Sequence, residues 1–204
     1  MQRPWRSGCG APRTTPFPCR PSLRNAGSSM FELQTKRLRL LALEVDELAQ
    51  LIGDPEALER RLGLAPSLPR DPALEREMWM VLVILLEKVI RHPRACRWYT
   101  QWLVVLKSEN RRVGGFCSKG GPNRRGEVEI GYGTDPADQR QGYMSEAVAA
   151  ATGWALAQRR VQAVIAETHK DNLASHRVLE KNGFQKYRET EQFYYWKRTR
   201  GDQP

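Results

Sequence analysis

Residues 127–145 read EVEIGYGTDPADQRQGYMS, and this stretch decides the fold. Val128, Ile130 and Tyr132 alternate with Glu129, Gly131 and Gly133, the two-residue period of a strand over Glu127–Thr134. Two glycines on one strand face mark a bulge or a close backbone approach. The amides they expose suit an extended amide-containing ligand, which pairs as an added strand does. Gln139-Arg140-Gln141-Gly142-Tyr143-Met144 then falls at a strand-to-helix junction. Free N–H groups at a helix start, on the positive end of its dipole, bind pyrophosphate without a dedicated side chain. Gly142 permits that approach and Arg140 adds charge. Alone, one such glycine is equally an ordinary connecting loop. A P-loop is excluded, because no Gly-Lys-Ser/Thr follows, and the Rossmann fingerprint is absent.

Outward from this stretch the periodicity switches repeatedly. Downstream, Gln141–Ala157 carries Met144, Ala147, Val148, Ala151, Trp154 and Ala155 on one helical face. Val161–Thr168 is apolar on both faces, as a central strand requires. A helix over Asn172–Asn182 stops at Gly183, and two strands, Phe184–Arg188 and Gln192–Lys197, close the domain. Upstream, Thr35–Leu43 alternates as a first strand. Short helices over Val45–Ile52 and Pro55–Leu62 follow, the second with Asp54 as cap and Pro55 at its first position. A longer helix over Pro72–Ile90 stops at His92-Pro93. Trp102–Lys107 and Arg112–Ser118 pair as a hairpin. The order predicts a mixed α/β layer architecture.

The 204 residues suffice for one domain with a real core, here residues 30–204. The net charge of +10 is uneven. Residues 1–29 hold five Arg, five Pro and no acidic residue, with no hydrophobic periodicity, and read as a disordered Arg/Pro-rich extension without a function of its own. The remaining modest excess of positive charge suits a polyanionic ligand. No nucleic-acid-binding motif accompanies it. Cys9, Cys19, Cys96 and Cys117 form no Cys-x-x-Cys pair and no metal-ligand spacing with His92, His169 or His176, so no metal is expected, and a reducing cytoplasmic setting follows. The longest apolar run, Met78–Leu86, is too short to span a bilayer, which takes about 20 residues.

The run from Glu127 to Phe184 resembles the core of the GNAT superfamily of acyl-CoA N-acyltransferases. Gln139, Arg140 and Gly142 match its Gln/Arg-x-x-Gly-x-Gly/Ala pyrophosphate loop, with Met144 standing where Gly or Ala is expected. Asp171-Asn172-Leu173-Ala174-Ser175, the following Arg177–Phe184 and the opening Thr35-Lys36-Arg37-Leu38-Arg39-Leu40 resemble the branch of ribosomal-protein alanine N-acetyltransferases. The resemblance is strong over residues 127–184. It implies a central, mostly antiparallel twisted sheet of about six to seven strands flanked by helices, in a monomer or homodimer.

It also implies acetyl-CoA as co-substrate and an amine as acceptor. The pantetheine arm would lie along Tyr132, Gly133 and Thr134. The pyrophosphate would meet the loop and helix start, Gln139, Arg140, Gln141, Gly142, Tyr143, Met144 and Ser145, with Asn172 and Ser175 on the pantetheine side. A lysine-like alkyl amine, which ordinarily titrates near pH ~10.4, is protonated at neutral pH, so transfer needs a base. Glu129, on the glycine face, and Glu167, five residues before Asn172, are the candidates, each equally able to serve as a structural carboxylate. The tyrosine that many members use as general acid is Leu179 here, and Ser175 is its substitute near the thiol. Asn172 also suits helix capping. Trp79, Trp98, Tyr99 and Trp102 read as core ahead of acceptor contacts. The alternative to an enzyme is a degenerate domain that senses acetyl-CoA without turnover.

Overall fold

A computed structural model describes residues 30–69 and 71–202; the expected extension over 1–29 lies outside the described residues. The strands are β1 (Glu32–Gln34), β2 (Leu38–Ala42), β3 (Gln101–Leu106), β4 (Arg111–Ser118), β5 (Glu127–Thr134), β6 (Ala163–His169), β7 (Gln185–Glu189) and β8 (Phe193–Thr199). The helices are α1 (Val45–Gly53), α2 (Pro55–Leu62), α3 (Pro72–Arg91), α4 (Tyr143–Ala157) and α5 (Leu173–Lys181). One eight-stranded sheet runs β1-β2-β3-β4-β5-β6-β8-β7. Every neighbouring pair is antiparallel except β5 with β6. The mixed, mostly antiparallel architecture agrees with the sequence reading, and the strand count exceeds it by one.

The additional strand is β1. It has three residues and pairs Glu32 with Leu41 and Gln34 with Arg39, too short a segment for alternation to announce it. The predicted start at Thr35 is instead a turn, in which Thr35 Oγ1 accepts from Leu38 N at 2.9 Å. Local chemistry sets the other boundaries. Asp54 accepts from Ala57 N at the start of α2, and Gly63, at φ 67°, ends that helix. Asp71 accepts from Ala73 N to start α3, which contains Met78–Leu86. Pro93 then ends its α-helical bonding and a 3₁₀ stretch, Pro93–Trp98, follows. Among the described residues no helix is long and apolar enough to cross a membrane.

The sheet buries both faces. Leu38, Leu40, Trp102, Val104, Val128 and Ile130 pack against α4 and α5, with Ala147 and Ala151 keeping α4 close to the strands. Leu41, Leu103 and Val105 turn to the opposite face, against Leu48 of α1 and Leu85 and Val89 of α3. Each fully buried Leu or Val contributes roughly 1.5–3 kcal/mol. These two layers fix β5 in the middle of the sheet. Its glycine face looks toward the α1–α3 side.

Candidate active site

β5 is held unequally along its two edges. Toward β4 it pairs over Ile130–Thr134, through Ser118↔Ile130, Cys117↔Gly131, Phe116↔Tyr132, Gly115↔Gly133 and Gly114↔Thr134. Toward β6 the parallel pairing covers only Glu127↔Ala163, Val128↔Val164 and Glu129↔Ile165, while β6 continues alongside β8 through His169. From Ile130 onward β5 and β6 have parted, leaving a wedge in the sheet. Tyr132 crosses it: its hydroxyl donates to Ser175 O in the first turn of α5, at 3.2 Å. Burial raises the phenol well above its ordinary value, and the bond to Ser175 only partly offsets this, so Tyr132 is a neutral donor. The glycine face above the wedge is open. A Cβ on Gly133 would meet nothing within 4 Å, and one on Gly131 only Cys117 Sγ, at 3.9 Å.

The loop beyond β5 is anchored by a buried ion pair. Asp138, buried, takes both Nη atoms of Arg111 at 2.8 Å. Hydrogen bonding to Asp138, against the opposing effect of burial, and then to Glu109 holds the Arg111 guanidinium far above its ordinary pKa. The chain then turns through two left-handed residues, Arg140 at φ 63° and Gly142 at φ 76°. This places the start of α4 at Tyr143, two residues after the predicted start at Gln141. Gly142 caps the helix without a side chain, and Glu146 N makes the first helical bond, to Gly142 O at 3.2 Å. The amides of Tyr143, Met144 and Ser145 have no intrahelical acceptor. Backbone amides along an open strand edge, beside an uncapped helix start, are the donor set that a diphosphate linked to an amide-bearing arm requires.

Residues 37–185 match the family model described as an acetyltransferase (GNAT) domain. The chain belongs to the GNAT acetyltransferase family. The uncharacterized N-acetyltransferase YjdG of Bacillus subtilis (strain 168) is 27% identical over 169 residues, covering 82% of this chain and 97% of that protein. Among solved structures, the ribosomal-protein-S5-alanine acetyltransferase of Vibrio fischeri superimposes with a TM-score of 0.59 at 19% identity, over 85% of this chain and 100% of the other. RimL, a ribosomal L7/L12 α-N-protein acetyltransferase solved with coenzyme A, gives 0.58 at 17%, over 81% and 95%. At these identities the two structures show a shared fold. The chain is thus a GNAT acetyltransferase, an enzyme of acetyl transfer.

The two carboxylates singled out from the sequence lie together. Ile165 is the β6 partner of Glu129, so Glu129, Ile165 and Glu167 share one sheet face, which is also the face of Cys117. Glu129 pairs with Lys119, which follows β4. Burial favours the neutral amine of Lys119, but the hydrogen bond and charge of Glu129, with the charge of Glu167, outweigh it and raise the ammonium above its usual value. Burial also pushes the Cys117 thiol up, with Lys119 opposing, so no reactive thiolate sits beside Gly131.

Asn172 caps α5, its Oδ1 accepting from Ser175 N at 3.0 Å. Leu179, at the usual tyrosine position, is fully buried in the core. His176 bonds His169 O and packs on Tyr194 and Trp196, and His169 packs on Phe193. Trp102 and Trp98 pack around Trp154, and Tyr99 stacks on His92. Trp79 behaves differently. With Leu51, Ile52, Met78 and Leu82 it walls a cavity of about 300 Å³ that reaches Gly115, Gly133 and Thr134. Sequence reasoning missed Lys119, Arg111 and Arg37, whose partners lie 10, 27 and 109 residues away. No local pattern encodes such pairings.

Proposed function

We propose that this GNAT acetyltransferase transfers acetyl from acetyl-CoA directly to a primary amine, of a protein N-terminus or a small molecule. The observation that carries the reading is the wedge between β5 and β6 beside the uncapped start of α4. The pantetheine arm lies along Tyr132, Gly133 and Thr134, and the diphosphate meets Gln139, Arg140, Gln141, Gly142, Tyr143, Met144 and Ser145. The buried thioether side chain of Met144 projects into the core, which supports its compatibility with the loop despite the family's preference for Gly or Ala.

Acetyl-CoA supplies an activated thioester; the chain supplies position and proton transfer. Glu129, through water, takes a proton from the acceptor ammonium, with Glu167 beside it. The incoming ammonium replaces Lys119 as the cation facing Glu129. A C–N bond forms and the C–S bond breaks. The ammonium loses two protons in all, one released through the carboxylate and one ending on the thiolate sulfur. Ser175, in the first turn of α5, donates to that sulfur. Asn172 holds this turn in place and turns its amide group toward the pantetheine. The apolar cavity beside Gly133 receives the acceptor's flanking group. Direct attack agrees with the raised pKa of the half-buried Cys117 thiol, which disfavours a thiolate able to carry the acetyl group. A sensor without turnover would have no need for two carboxylates on the open strand face.

The test is acetyl-CoA-dependent thiol release across a panel of small amines and N-terminal peptides, repeated with Glu129→Gln, Glu167→Gln and Ser175→Ala. Loss of the base lowers turnover by about 10²-fold or more, while CoA affinity persists. Near-normal turnover in both carboxamide variants removes the carboxylate base from the mechanism. Tight acetyl-CoA binding without release on any acceptor favours the sensor.

A further inference from the structure

The opening motif Thr35-Lys36-Arg37 has no role in the chemistry above, yet the fold seats it against the start of α4. Glu146, in the first turn of that helix, accepts from Thr35 Oγ1 at 2.6 Å, from Arg37 N at 2.8 Å and from Arg37 Nε at 2.7 Å. Burial alone would raise this carboxyl, but the bonds from Thr35 and Arg37 prevail and hold it below its ordinary value, so Glu146 is an anion that fixes the arginine. The anchored guanidinium extends past Glu146 to the loop. Its Nη1 donates to Gln141 O at 3.0 Å, and its carbon lies 4.8 Å from the centroid of the Tyr143 ring.

The third nitrogen is Nη2. It has no hydrogen-bond partner among the described residues and lies 3.5 Å from where a Cβ on Gly142 would stand. The side chain is 42% exposed, so this edge is open to a ligand. Arg140, on the same loop, is exposed, and no contact among the described residues fixes its guanidinium. Arg37 therefore differs from it in being pre-organised. Two of its nitrogens are held by the protein, and the third is presented beside Gly142, the one N-cap without a side chain among the α-helices of the described residues. A planar guanidinium held in this way loses little freedom on meeting a phosphoryl oxygen.

We infer that Arg37 is a positioning residue for the coenzyme diphosphate: it fixes the turn at Gly142 through Gln141 O and offers Nη2 to a phosphoryl oxygen. The inference rests on the proposed placement of the diphosphate at this loop. Its test is calorimetric titration of the full chain, as wild type, Arg37→Gln and Arg37→Lys, with CoA and with pantetheine, at low and moderate NaCl. Thermal unfolding of each variant is followed in parallel. Loss of one charge-assisted phosphate contact weakens CoA by about tenfold in Arg37→Gln. Pantetheine, which lacks the diphosphate, changes by less than twofold. Arg37→Lys restores part of the CoA affinity and its salt dependence, because it keeps the charge without the bond geometry.

Equal losses for CoA and pantetheine would reduce Arg37 to a structural clamp and overturn the inference, as would CoA affinity within twofold of wild type in Arg37→Gln. A wild-type chain that binds CoA no more tightly than pantetheine overturns the diphosphate placement itself. If wild type prefers CoA, and Gly142→Val but not Arg37→Gln abolishes that preference, the placement stands and only the role of Arg37 falls.

Discussion

α4 and α5 both begin on the rim of the wedge, and they begin differently. At α5 the Asn172 side chain satisfies Ser175 N, and Ser175 O in turn receives the Tyr132 hydroxyl. At α4 the cap is Gly142, in a left-handed turn and with no side chain to offer, so the first three amides of the helix have no side-chain cap. Side-chain acceptors also close the starts of α1, where Glu47 binds Glu44 N, and of α2 and α3, through Asp54 and Asp71. Capping normally contributes about 1 kcal/mol. In the proposed complex with acetyl-CoA, a helix that forgoes it beside an unpaired strand edge leaves its donors for the ligand. The capped neighbour is the contrasting case, a start completed by the protein itself.

Substitutions at the two caps separate these roles. The largest effect is expected at Gly142. Gly142→Val places a β-branched residue at φ 76°, strained by about 1–2 kcal/mol, and pushes a side chain toward Arg37 Nη2. Affinity for acetyl-CoA, measured by calorimetry, should fall about 30-fold or more, with the fold retained in circular dichroism. Unchanged affinity would break the contrast at once. Next is Asn172→Ala, which should cost about 1 kcal/mol of stability in urea unfolding. Asn172→Asp sharpens the point: it keeps the capping oxygen and loses the amide donor. Stability should therefore stay near wild type while acetyl-CoA affinity drops severalfold, if that amide bonds the pantetheine. No change in affinity would leave Asn172 as a cap alone.

The smallest effect is a pH dependence. Glu146 has its folded pKa lowered, so its contribution to stability is present above the unfolded carboxylate value, about 4.3, and is lost as pH falls through the lower folded value. The stability gap between wild type and Glu146→Gln should be full near pH ~6 and shrink below about pH 4. A gap that stays constant through the acid range contradicts an ionised Glu146.

Much of this was legible in the sequence. The strand over Glu127–Thr134 agrees in both boundaries, because its alternation is unbroken and ends at Asp135-Pro136. The apolar face of α4 was legible because Met144, Ala147, Val148, Ala151 and Ala155 keep helical spacing. The wedge was not. The parting of two strands depends on packing on both sides of the sheet: Gly131 and Gly133 mark exposed amides in the sequence, but not that β6 is the neighbour that leaves β5 after Glu129. The Lys119 partner of Glu129 and the Arg37 clamp on Glu146 were equally hidden, since long-range ion pairs leave no periodic trace. β1 was missed because three half-exposed residues carry no pattern.

Amide hydrogen exchange, residue by residue and with and without acetyl-CoA, tests the central claim most directly. The exposed amides of Ile130–Thr134 and of 141–145 should exchange fast in the free protein and become protected on binding, while the capped start of α5 changes little. Protection that appears elsewhere, with residues 130–145 unaltered at saturating acetyl-CoA, would contradict the account.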